Sequence, residues 1–245
     1  MRSLTRILTL LALCTSTAFA EELVVAVASN FRPALQELST AFTAETGHTV
    51  VISSGSTGRH YAQIVNGAPF DLFLAADAAR PRQLVADGYA DESFTYAIGR
   101  LALWGNSKTI PDDVADWLTS DDVKHIAIAN PRLAPYGVAA VETLEAMNIY
   151  SQLTNKFVTG ENISQAYQFI ASGNADAGLV AWSQLINTQT GYLLIPEDQH
   201  APIEQQIVVL HDSDAAAAFT EFLRGAAATR IIEDNGYVVP ADRDQ

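Results

Sequence analysis

The chain alternates between two kinds of apolar pattern. Leu23 to Ala28 is an unbroken apolar run, which predicts a strand buried on both faces. Phe31, Leu35, Leu38 and Phe42 then recur every three or four residues, the spacing of one helix face. Asn30 offers a capping side chain before that helix, Pro33 fits its first turn and Gly47 ends it. The alternation repeats: a strand over Thr49 to Ile52, a tight turn at Gly55-Ser56-Thr57-Gly58, and a short helix through Tyr61, Ile64 and Val65 to Gly67. A third strand, Asp71 to Ala75, precedes a helix from Pro81 to Ala86 that Gly88 closes. Strand and helix in strict alternation imply an α/β unit with a mostly parallel sheet flanked by helices.

Phe94 to Leu103 reads as one long strand, followed by the loop Gly105-Asn106-Ser107. A second α/β series follows, with strands at His125 to Ala129 and Gly178 to Ala181, and helices at Gly137 to Met147 and Asn162 to Ala171. Ile203 to Leu210 is a second long strand, able to return to the first unit, and helices over Asp214 to Arg224 and Ala226 to Glu233 finish the chain. Two α/β units joined by two long hinge strands are the plan of a type II periplasmic binding protein. Lobe I is expected over 21–99 and 206–245, and lobe II over 100–205. A ligand would lie between the lobes, at the carboxyl ends of the strands.

The first twenty residues read as a leader rather than as part of the fold. Arg2 and Arg6 precede the short apolar run Ile7 to Cys14, and Ala18-Phe19-Ala20 offers a small-x-small cleavage site. Cleavage after Ala20 places the mature chain in the periplasm. A lipoprotein signal acylated at Cys14 is disfavoured, because Leu13 stands where a small residue is expected. Cys14 is the chain's single cysteine, so the mature form has neither disulfide nor thiol chemistry. Losing Arg2 and Arg6 leaves 12 of 14 basic residues against all 28 acidic ones, a formal charge of −16. That field excludes nucleic acid and anionic membrane as partners. It does not exclude a small anion held by local backbone dipoles inside a closed cleft.

Four places share one local order, in which a strand ends, a small polar or Gly/Pro-containing turn follows, and a helix begins. They are Ser29-Asn30, Ser56-Thr57-Gly58, Pro135-Tyr136-Gly137 and Glu161-Asn162-Ile163. The first turn of each helix presents free backbone N–H groups and partial positive charge. Pointed into one cleft, they would hold a dianion without a cationic side chain; taken singly, they also read as ordinary helix caps.

Five segments in order carry a resemblance. Val27-Ala-Ser-Asn-Phe31, Ser54-Gly-Ser-Thr-Gly-Arg-His-Tyr-Ala-Gln-Ile64, Gly67-Ala-Pro-Phe-Asp-Leu-Phe-Leu-Ala-Ala-Asp77, Asn130-Pro-Arg-Leu-Ala-Pro-Tyr-Gly137 and Asn174-Ala-Asp-Ala-Gly-Leu-Val180 together resemble the periplasmic molybdate-binding protein family across nearly the whole mature chain. The resemblance implies molybdate, with tungstate, as ligand, no cofactor, and the permease of an ABC importer as partner to a monomer. It places the first-loop donor on Asn30, by its side-chain amide, with Ser29 beside it. The second-loop hydroxyl falls on Thr57, where serine is more usual, and the second lobe's backbone donors fall on Tyr136 and Ile163. Molybdenum is held only as molybdate, through these same residues. One departure is Ala181, beside Trp182, where some members of the family have a tyrosine hydroxyl on the oxyanion.

Other chemistries find little support. Gly55-Ser-Thr-Gly58 is neither a nucleophile elbow nor a P-loop, no serine has a histidine and an acid in recognisable order, and the five histidines lack metal-ligand spacing, so an enzyme is not expected. A different oxyanion, sulfate or phosphate, is the alternative ligand; a phosphate binder would reveal itself by an acid in the cleft. Arg59 is expected to be a solvated helix-face residue, and Asp71 and Asp77 structural turn and capping residues.

Overall fold

The computed structural model of the protein describes residues 20–105, 109–188 and 191–241. The leader residues 1–19, Cys14 among them, and Asn106 and Ser107 of the expected loop lie outside the described residues.

Two five-stranded sheets form two lobes. In the first, β1 (Glu22–Ala28) lies between β2 (Thr49–Gly55) and β3 (Leu72–Leu74), parallel to both. The strand β10 (Ile203–Val209) runs antiparallel between β3 and β4 (Ser93–Gly99). In the second, β6 (Ile126–Ala129) is parallel to β7 (Phe157–Gly160) and β8 (Ala177–Ala181), while β5 (Leu101–Gly105) is antiparallel to β8 and to β9 (Tyr192–Leu194). Each sheet is therefore mixed. Its parallel half comes from the strand–helix alternation, and its antiparallel half from the strands that carry the chain between lobes.

The apolar run of β1 is buried on both faces. Leu23, Val25 and Val27 pack with Phe31, Leu35, Leu38 and Phe42 of the following segment and with Phe219 and Leu223. Ala26, on the opposite face, packs with Ile64, Phe73 and Leu84. Burying each large side chain contributes about 1.5–3 kcal/mol. The second lobe has its own core, in which Leu103, Ile126, Ile128 and Leu179 meet Leu144, Ile163 and Ile170.

Phe94 to Leu103 is not one strand. The chain breaks at Arg100 and crosses between sheets, β4 pairing with β10 and β5 with β8 and β9. Apolar residues continue on both sides of the break because both lobes bury them, so the pattern carries no mark of the crossing. The return crossing runs through 195–202, and β10 begins at Ile203, opposite Gly99.

Asn30 does not cap the first helix. That helix, α1 (Arg32–Thr46), has Phe31 at its N-cap without a side-chain cap bond, and ends as expected at Gly47, with φ 82°. The Asn30 side chain is used elsewhere.

Candidate functional site

Four strand ends from the two lobes meet at one small cavity. The first lobe contributes Ser29 and Asn30 after β1, and Ser56 and Thr57 at the start of α2 (Thr57–Val65). The second contributes Pro135 and Tyr136 at the start of α5 (Pro135–Ala146), and Asn162 and Ile163 at the start of α7 (Ile163–Ala171). All five residues expected at the site line this cavity: Ser29, Asn30, Thr57, Tyr136 and Ile163. Each is buried.

The backbone N–H groups of Asn30, Thr57, Tyr136 and Ile163 donate to no protein acceptor among the described residues. They are first-turn or pre-helical amides, which the helix geometry leaves without intrahelical partners. The N–H groups of Ser56 and Asn162 on the same wall likewise donate to no protein acceptor among the described residues. Buried amides are nearly always paired, so these unpaired amides, three from each lobe, form a set of donors awaiting an acceptor.

The side chains divide by role. Thr57 Oγ1 accepts from the backbone N–H of Ala76 at 3.1 Å, which leaves its own proton to donate. Ser56 caps nothing by its side chain, and its Oγ is buried without a hydrogen-bond partner on the cavity wall. Ser29 faces the other lobe, its hydroxyl donating to Asn162 Oδ1 at 3.2 Å and accepting from Ser164 N at 3.4 Å. The Asn30 amide is already committed. Its Nδ2 donates to Gln205 Oε1 at 2.8 Å and to Tyr237 Oη at 3.1 Å. The donor that Asn30 offers the cavity is thus its main-chain N–H, and the expectation of a side-chain amide donor is replaced by a backbone one.

No acidic or basic side chain lines the cavity among the described residues. The one titratable group there is the Tyr136 phenol. Burial, then the neighbouring Tyr237 and Tyr96, pushes its pKa well above the usual phenol value, so it stays neutral. The field inside the cavity comes from backbone dipoles and three helix N-termini.

The lobes touch around the cavity. Gly58 N donates to Leu133 O at 2.8 Å, and Ser164 Oγ to Ser29 O at 3.2 Å. Arg59 is an exposed residue of α2, as expected, and also pairs with Glu161 of the other lobe at 3.0 Å. Asp71 and Asp77 are structural: Asp71 Oδ2 accepts from Val24 N at 2.7 Å, and Asp77 Oδ1 from Arg80 N at 3.0 Å. Ala181 is a fully buried strand end paired with Leu101.

Sequence reasoning gave no role to Ser56 or to the residues that hold Asn30. Ser56 stood inside a recognised turn, and its missing cap bond is visible only in three dimensions. Gln205 and Tyr237 lie 175 and 207 residues from Asn30 and carry no local signal.

The bacterial extracellular solute-binding protein family matches residues 23–238 of the chain. The chain is 44% identical over 227 residues to the molybdate-binding protein ModA of Rhodobacter capsulatus, covering 90% of each chain. It is 42% identical over 229 residues to ModA of Azotobacter vinelandii, covering 90% of this chain and 91% of that one. A solved structure of the periplasmic molybdate-binding protein of Azotobacter vinelandii superposes with a TM-score of 0.84 at 39% identity, covering 89% of this chain and 99% of that chain.

Proposed function

We propose that this chain, which belongs to the bacterial extracellular solute-binding protein family, captures molybdate between its lobes and delivers it to an ABC importer. The relatives at 44% and 42% identity are molybdate-binding proteins. The observation that carries the reading is the cavity itself, with unpaired backbone donors from both lobes and no charged side chain among the described residues.

That donor set fits a tetrahedral dianion. Each N–H to a charged oxygen contributes about 1.5–3 kcal/mol. A dianion that accepts from both lobes favours the closed form, because only closure brings all donors into reach. The Thr57 hydroxyl proton adds a side-chain donor, and Ser29 and Ser56 stand on the same wall. The cavity also offers no carboxylate acceptor among the described residues. A protonated oxyanion such as hydrogen phosphate needs one for its O–H, so the site favours an ion with four bare oxygens. Tungstate has the same charge and shape and is a second ligand. Sulfate, the remaining alternative, is smaller and would leave some donors out of reach.

In this reading the protein acts in the periplasm as a monomer, uses the five residues Ser29, Asn30, Thr57, Tyr136 and Ile163 at the ligand, carries no cofactor, and catalyses no reaction. The permease receives the ion when the lobes part. Calorimetric titration of the mature protein with molybdate, tungstate, sulfate and phosphate tests it. Tight one-to-one binding of molybdate and tungstate is expected, with sulfate much weaker. Tight binding of phosphate or sulfate with no response to molybdate overturns it.

A further inference from the structure

Asn30 is held in place by a residue near the end of the chain. The hydroxyl of Tyr237 donates to the Asn30 carbonyl at 2.8 Å and accepts from Asn30 Nδ2 at 3.1 Å. It thus grips both ends of the residue whose backbone N–H faces the cavity. The ring of Tyr237 is buried edge-on against Phe31, with centroids 5.1 Å apart. Val238 fixes the segment further, exchanging backbone hydrogen bonds with Ile98 at 2.7 and 3.0 Å.

The second lobe touches this same hydroxyl. Ser183, in the short 3₁₀ turn Trp182–Gln184 after β8, places its Oγ 2.9 Å from Tyr237 Oη. The Asn30 carbonyl lies 2.8 Å from Tyr237 Oη and 3.4 Å from Ser183 Oγ, so the two hydroxyls and this carbonyl form one hydrogen-bonded cluster. Trp182 packs beside it, so close to Gly236 that a Cβ there would lie 2.8 Å from the indole ring. The turn follows Ala181, so the lobe that lacks a side-chain donor at that position meets the first lobe through Ser183 and Tyr237 instead.

We propose that Tyr237 is a positioning residue that aims the Asn30 N–H at the bound oxyanion and, through Ser183, links that aim to lobe closure. The inference rests on the oxyanion reading above. Ser183 follows the last strand of the second lobe and Tyr237 packs in the core of the first, so in this proposal their bond spans the lobes and slows opening.

A double-mutant cycle read by stopped-flow and calorimetry with sodium molybdate tests this. Tyr237→Phe keeps the ring packing on Phe31 and removes the hydroxyl. It should weaken molybdate binding about tenfold, mainly through faster dissociation, with the association rate within about twofold of the parent. Ser183→Ala should also raise the dissociation rate, by a few fold, while leaving the melting temperature of the ligand-free protein unchanged. In the Tyr237→Phe background, Ser183→Ala should have a smaller effect than in the parent, since only its longer contact to the Asn30 carbonyl, at 3.4 Å, remains. Parental dissociation rates in both single variants, or losses that multiply in the double variant, overturn the proposal. The parent protein is the control for the ligand. If the parent itself fails to bind molybdate, the oxyanion reading fails; if it binds and the cycle shows no coupling, only the role of Tyr237 and Ser183 fails.

Discussion

The Tyr136 hydroxyl lies against the backbone of Gly99, so close that a methyl group there would overlap it. Gly99 is the last residue of β4, where the chain leaves the first lobe; Tyr136 opens the ligand-facing helix α5 of the second. The donor helix is thereby seated directly on the hinge. Gly99→Ala adds a methyl at a position with ordinary backbone angles, so the cost falls on the contact. Overpacking of this kind costs about 1–3 kcal/mol. Because the contact lies between β4 of the first lobe and α5 of the second, molybdate affinity should fall about tenfold or more, while the ligand-free protein melts close to the parent. Parental affinity on titration would show that the hinge tolerates the added volume.

Thr57→Ala removes both an acceptor for Ala76 N and a donor to the ligand. The donor is worth about 1.5–3 kcal/mol to a charged oxygen, so affinity should fall tenfold to a hundredfold. Thr57→Ser keeps the hydroxyl and should bind within a few fold of the parent. Equal binding by all three proteins in calorimetry would remove Thr57 from the ligand shell.

Arg59 and Glu161 close the mouth of the cleft as an exposed pair. Such pairs contribute about 1 kcal/mol or less, so Arg59→Ala should lower affinity less than about fivefold. The equilibrium affinity of the parent should also not fall as salt is added, since neutral dipoles in a closed site are poorly screened. A steep loss of affinity between 20 and about 300 mM salt would identify a cation as the main donor.

His60 gives the fold a pH dependence. Burial holds its pKa below the ordinary imidazole value, against the opposing hydrogen bonds to Gln63 and Val27, and with Arg59 lowering it further. The folded ring stays neutral while the unfolded chain takes a proton near pH 6.5. Stability is therefore full above that pH, falls as pH drops below it, and stops falling once the folded ring also protonates. Melting temperatures measured from pH 8 to pH 5 should show this slope in the parent. His60→Gln should flatten it.

Much of the fold was legible because each lobe is built by local alternation. The run Leu23 to Ala28 announced a strand buried on both faces, and Gly47 announced the end of α1. The four strand–turn–helix junctions were legible for the same reason, since helix starts carry their own residue types. What escaped depended on distant partners. Asn30 looks like a cap, yet Gln205 and Tyr237 claim its side chain from the far end of the chain. The strands Phe157–Gly160 and Tyr192–Leu194 are too short to show a period, and exist by pairing with β6 and β5. The crossing at Arg100 hides in an apolar run that serves two cores at once.

A cavity furnished only with neutral donors inside so acidic a protein separates the approach of the ion from its capture. At a distance, an incoming dianion meets a surface with 28 acidic and 14 basic residues in the whole sequence and is repelled. Within hydrogen-bond reach it meets amide protons and is held. The two ranges respond differently to electrolyte. Added salt shortens the repulsion over a Debye length of about 10 Å at 0.1 M and should quicken encounter, whereas it cannot enter the closed cleft and should leave escape unaltered. Capture by this protein should therefore speed up as ionic strength rises, the reverse of the behaviour expected of an anion trap built from lysine and arginine.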